Sequence, residues 1–110
     1  MNSNNQNIPI ACNMNVFTPA EREGHIQTAL QLFQTVRHVQ DIEHGCEFIF
    51  PNESTILIKL AEFISKERLC CPFLEFTVKL IPSYETTSLL LTGPEGTREF
   101  LREEFTEAFQ

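Results

Sequence analysis

Apolar residues recur along the chain with two periods, and the switches between them predict seven elements. Ile26, Ala29, Leu30, Phe33 and Val36 return every three or four positions, the spacing of one helical face. Ahead of them stand Thr18, Pro19 and Glu21: a capping hydroxyl, a proline suited to the first helical position, and a carboxylate that completes a capping box. A helix is predicted over residues 19–35. From Arg37 to Phe50 the period shortens to two. Cys46, Phe48 and Phe50 alternate with Glu47 and Ile49, and His44-Gly45 supplies the turn of a hairpin whose second strand buries its Cys46 side.

A second helix follows Pro51-Asn52-Glu53, with Leu57, Leu60, Ala61 and Ile64 as its apolar face and Ile56 and Phe63 widening it. Pro72 ends it, because a proline pushes the preceding residue out of the α region. Leu74, Phe76, Val78 and Leu80 then alternate with Glu75, Thr77 and Lys79 as an amphipathic strand. Pro82 to Glu85 turns it into a Leu-rich strand over residues 87–92. Gly93-Pro94-Glu95-Gly96 is a strand-to-helix turn, with Pro94 expected at the first position of a last helix that packs Phe100, Leu101, Phe105, Ala108 and Phe109 inward. The order α-β-β-α-β-β-α predicts an α+β fold, a four-stranded sheet with helices mainly on one face.

Length and composition sharpen this picture. A chain of 110 residues, 42% hydrophobic, makes one domain with one core. That domain is expected over residues 11–110, behind a disordered arm over residues 1–10. Met1 to Asn7 is Asn-rich and uncharged, without the basic and apolar regions of a signal peptide. No apolar run approaches the roughly 20 residues of a membrane span, and a cytoplasmic protein is expected. Fifteen acidic against eight basic residues give a net charge of −7. Phosphate backbones and anionic membranes are repelled by that balance, so neither nucleic acid nor membrane is an expected partner. Cysteines at 12, 46, 70 and 71 are too sparse for a secreted disulfide scaffold, which points to a reducing compartment and free thiols.

Candidate chemistry gathers at Glu67-Arg68-Leu69-Cys70-Cys71-Pro72. On a helix, Glu67 lies three and four residues before the two thiols and neighbours both. A helix C-terminus carries partial negative charge from unpaired carbonyls, which raises a thiol's pKa and disfavours a nucleophilic role. A cation is favoured by the same carbonyls, the same carboxylate and the sulfurs, and thiolates select Zn, Cu(I) or Hg(II). The expected metal ligands are Cys70, Cys71 and Glu67, with Cys12 as the third sulfur passing beside the corner. A vicinal Cys70–Cys71 disulfide demands a distorted peptide and is disfavoured. Against the metal stands a plain alternative, since buried cysteines also serve as small core residues. Cys46, among phenylalanines, is read that way.

The run Glu67-Arg68-x-Cys70-Cys71-Pro72-Phe73-Leu74-x-Phe76, with Leu91-Thr92-Gly93-Pro94-Glu95-Gly96, resembles a family of small, largely uncharacterised bacterial proteins. Ala11-Cys12 before the first helix and the strand Gly45-Cys46-Glu47-Phe48-Ile49-Phe50 extend the resemblance over most of residues 11–105. Members are similar to domains beside, or fused to, mercury-responsive and other heavy-metal regulators. The resemblance implies thiophilic metal handling, with Cys12, Cys70 and Cys71 on the motif and Cys46 replacing a larger side chain.

Other residue types add little. His25, His38 and His44 lack ligand spacing; His44 is read as a turn residue and His25 as a solvated helix position. The Gly93–Gly96 loop lacks the lysine of a phosphate loop, and no serine sits in a nucleophile elbow. No catalytic or organic-cofactor residue is expected. The sequence thus supports a small protein holding a thiophilic ion (Zn, Cu or Hg), with a second copy or a regulator protein as partner. The alternative is a non-catalytic interaction or dimerisation module, meeting a partner through Phe73 and Ile81 with its cysteines in the core.

Overall fold

Thr18 caps the first α-helix as predicted. Its hydroxyl accepts from the Glu21 backbone N–H while the Glu21 carboxylate accepts from the Thr18 N–H, closing the capping box. The computed structural model describes residues 8–109; residues 1–7 of the expected arm lie outside the described residues. Within them run α1 (Pro19–Phe33), β1 (His38–Ile42), β2 (Gly45–Pro51), α2 (Ser54–Cys70), β3 (Glu75–Ile81), β4 (Thr86–Thr92) and α3 (Thr97–Glu104). The four strands form one antiparallel sheet in the order β1-β2-β4-β3. The predicted α+β order holds. Among the described residues, no helix is long and apolar enough to cross a membrane.

The two-residue alternation of β2 and β4 decides which face of the sheet is covered. Cys46, Phe48 and Phe50 pair in register with Leu91, Leu89 and Thr87, and all six are buried. Glu47, Ile49 and Leu90, on the opposite face, are only half-buried. Over the covered face Phe33 gathers Phe48, Phe63 and Phe105 at ring-centroid distances of 5.1, 5.2 and 4.5 Å. Ile8 and Ile10 also pack against this core.

Both long helices are turned relative to the expected stripes. On α1 the inward residues are His25, Leu32 and Phe33, while Ile26 is 41% exposed. On α2 they are Ile56, Leu60, Phe63, Glu67 and Cys70, leaving Leu57 and Ala61 exposed. The physical reason is a polar pair. Glu67 accepts from His25 inside the protein, so α1 turns inward a histidine read as solvated and α2 a carboxylate that stood outside its expected apolar face.

The remaining boundaries are adjusted locally. Pro94 lies in the turn before α3, whose N-cap is Gly96 with φ of +103°, a conformation that favours glycine. The last helix stops at Glu104, although Phe105 is buried and Ala108 packs on the core. The Phe109 side chain lies outside the described residues. Phe73, expected at a partner-facing surface, is buried and packs its ring against Phe100 at 5.1 Å. Edge strand β3 keeps its alternation, but Val78 and Leu80 are 40% and 55% exposed because the helical layer stops short of them.

Candidate metal and thiol centre

The C-terminal turn of α2 and the segment before α1 build the centre together. Pro72 stops the helix, and the carbonyl of Cys70 then accepts the backbone N–H of Asn13 at 2.8 Å. That bond draws the N-terminal segment across the helix end and brings the Cys12 and Cys71 Cα atoms to 4.3 Å. The two sulfurs are joined in a disulfide. The expectation of free thiols throughout is therefore corrected. Cys12 does reach the corner as predicted, but as a partner of Cys71, while Cys46 and Cys70 are free thiols.

The carbonyls at the end of α2 are less open to a cation than expected. The Glu67 carbonyl accepts from the Cys71 N–H and the Cys71 carbonyl from the Leu74 N–H. With the Cys70 carbonyl also occupied, these oxygens offer a cation less than an uncapped helix end would. The negative charge at the site comes from the Glu67 side chain instead.

Glu67 is the hub. It is 5% exposed, and its Oε1 accepts from His25 Nε2 at 2.7 Å. The same carboxylate lies 3.3 Å from Cys71 Sγ through Oε2 and 3.7 Å from Cys70 Sγ through Oε1. Cys70 Sγ is also 3.5 Å from Cys71 Sγ. His25 was not expected here. It stacks on Phe63 and meets the edge of Phe17, both at 5.6 Å, and its Nδ1 is buried without a hydrogen-bond partner among the described residues. The available signal was spacing: His25 precedes Ala29 by four and Phe33 by eight, on the same helical line.

A cavity of about 150 Å³ opens beside these groups, lined in part by Cys12, His25, Glu67, Cys70, Cys71 and Glu104. Burial, and secondarily the Glu67 carboxylate, push the Cys70 thiol up to about 12. Burial, followed by the charge of Glu67, also raises the Glu104 carboxyl above its usual range. Cys46 lies apart in the sheet, its thiol pushed up to about 11 by burial and then by Asp41. Neither free thiol is a thiolate near neutral pH. A buried cysteine of this kind is a poor nucleophile, and a metal that displaces its proton is what turns it into a ligand.

Two sets of groups can hold a metal ion. Cys12, Glu67 and Cys71 form one, and His25, Glu67 and Cys70 the other, with the ligand atoms of each set lying within 4.8 Å of one another. Ligands around one zinc ion at 2.0–2.3 Å sit roughly 3.5 Å apart, so a small contraction brings the His25, Glu67 and Cys70 set to bonding distance, whereas the Cys12 and Cys71 sulfurs must first be separated. Glu67 belongs to both sets, and the disulfide occupies both sulfurs of the first. All four residues expected at the site thus meet, joined by His25. Comparison of the chain with protein-family models, curated proteins and solved structures finds no match.

Proposed function

We propose that this protein binds a thiophilic metal ion at the cysteine corner, and that the Cys12–Cys71 bridge gates the site. One observation carries the reading: three sulfurs and one buried carboxylate converge at the rim of a single cavity, a density of soft and anionic donors that packing alone does not call for. With the bridge closed, His25, Glu67 and Cys70 offer one nitrogen, one oxygen and one sulfur. Opening the bridge takes two electrons and two protons from a dithiol, which closes to its own disulfide. A phosphine instead gives two electrons and leaves as its oxide, while water supplies the oxygen and both protons. Either reductant releases the Cys12 and Cys71 thiols. A soft cation then displaces the thiol protons, and the set becomes Cys12, Cys70 and Cys71 with Glu67 beside them. Three sulfurs favour Cu(I) or Hg(II), whereas zinc completes four ligands with Glu67 or His25. The motif resemblance around Cys70-Cys71-Pro72-Phe73 supports a role in heavy-metal handling, with a regulator protein as the partner.

The test is a titration of phosphine-reduced, desalted protein with Hg(II), Cu(I) and Zn(II) under anaerobic conditions. Sulfur-to-metal charge-transfer absorption and metal content per chain are the readouts. One ion per reduced chain is expected, with weaker uptake by the oxidised form and loss of binding in the Cys70→Ser/Cys71→Ser protein. Equal uptake by that variant and the parent overturns the proposal. A second reading rests on Cys70 and Cys71 being only 1% exposed: the bridge is a staple and Cys70 a core residue. No uptake in either redox state selects it.

A further inference from the structure

We propose that β3 is a self-recognition edge through which two copies of this chain pair antiparallel about a twofold axis at Thr77. The inference is independent of the metal reading. Strand β3 ends the sheet, and among the described residues no strand pairs with its outer side. Its backbone therefore presents unpaired N–H and C=O groups along an edge seven residues long. On the helix-covered face of that edge Val78 and Leu80 remain exposed. A neighbouring strand would supply the apolar side chains that the helices do not.

The sequence of the edge selects its partner. Residues directly opposite in an antiparallel pair point to the same face. Continuity of the two faces across the new seam therefore requires registers in which apolar positions of one copy meet apolar positions of the other. With Thr77 opposite Thr77, Phe76 meets Val78 twice and Glu75 meets Lys79 twice. Glu75 and Lys79 are both exposed, and among the described residues neither has an ion-pair partner. A lysine on a free edge ordinarily discourages strand addition. Here a glutamate four residues away neutralises it, but only when the added strand is another β3 in this register. Moving the axis to Phe76 or Val78 sets Lys79 opposite Phe73 or Thr77 and loses both ion pairs. A partner rich in either single charge would meet a like charge at one end of the strand.

Sedimentation equilibrium of the full chain, oxidised and at low ionic strength, tests the proposal through charge reversal. The parent is expected to form a dimer. Glu75→Lys and Lys79→Glu, which place like charges opposite each other at both ends of the seam, should each weaken it at least about tenfold. The double Glu75→Lys/Lys79→Glu protein restores opposite charges and should recover parent-like dimerisation, a result that general surface effects do not give. Circular dichroism confirms that each variant is folded. A parent that stays monomeric at millimolar concentration overturns the proposal. So does a dimer indifferent to both single reversals, or a double variant no better than the singles.

Discussion

Glu67 is the residue on which most of the site's electrostatics turn. A buried carboxylate is tolerated because His25 donates to it at 2.7 Å, and its charge adds to burial, the larger cause, in raising the Cys70 thiol and the Glu104 carboxyl above their usual ranges. Removing one member of such a pair leaves the other buried and unpaired, which costs about 3–5 kcal/mol. Replacing both by apolar residues of similar volume costs far less. His25→Leu should therefore lower unfolding free energy by about 3 kcal/mol, and His25→Leu/Glu67→Leu should recover most of it. Urea denaturation followed by circular dichroism reads this, since the chain has no tryptophan. A double variant weaker than the single would show that the two side chains are not coupled. The pair also marks what a pattern reading leaves hidden. Glu67 was legible beside the two thiols, three and four residues before them, whereas His25 reads as a solvated helix position. Only its pairing with Glu67 across the α1–α2 interface reverses that assignment.

At the scale of elements, boundaries that depend on local chemistry were legible and those that depend on neighbours were not. The Thr18 capping box, the Pro72 stop and the His44 turn, with φ of 58°, are written in adjacent residues. The rotation of α1 and α2, the exposure of Val78 and the end of α3 at Glu104 are decided by what packs against them. Gly45 shows both sides. Its neighbour His44 announces a turn, but glycine is required for a different reason: a Cβ there would strike the Leu91 carbonyl and lie 2.9 Å from the Thr92 Cα. Gly45 sits opposite Thr92 in the β2–β4 register, so the clash falls where β2 enters the sheet and β4 leaves it. Gly45→Ala is expected to destabilise the fold by about 2–3 kcal/mol through overpacking against backbone that cannot rotate away. Thermal unfolding measures the loss, and a melting temperature equal to the parent's would mean that β4 shifts freely at this point.

For the whole molecule, the Cys12–Cys71 bridge closes a loop with a sequence separation of 59 residues. A loop of that size restricts the unfolded chain by about 4 kcal/mol in the chain-entropy account. Phosphine reduction should lower the urea midpoint of the parent accordingly. Cys12→Ser, already unbridged, should show the lower midpoint with or without reductant. A parent insensitive to reduction would place the bridge's contribution elsewhere than in the unfolded state. The meeting of Cys12 with the corner was legible from its place on the segment before α1, whereas its covalent capture by Cys71 depends on the Asn13-to-Cys70 bond, which no spacing encodes.

The same bridge divides the chain for any force applied at its two ends. Tension entering near Cys12 passes through the sulfurs to Cys71, so the chain of α1, β1, β2 and α2 cannot be drawn out while the sulfurs stay joined. Stretch must come from the C-terminal segment, whose β4 lies wedged between β2 and β3. The oxidised molecule therefore yields to a pull by tearing the middle out of its sheet, and the reduced one can unravel from end to end.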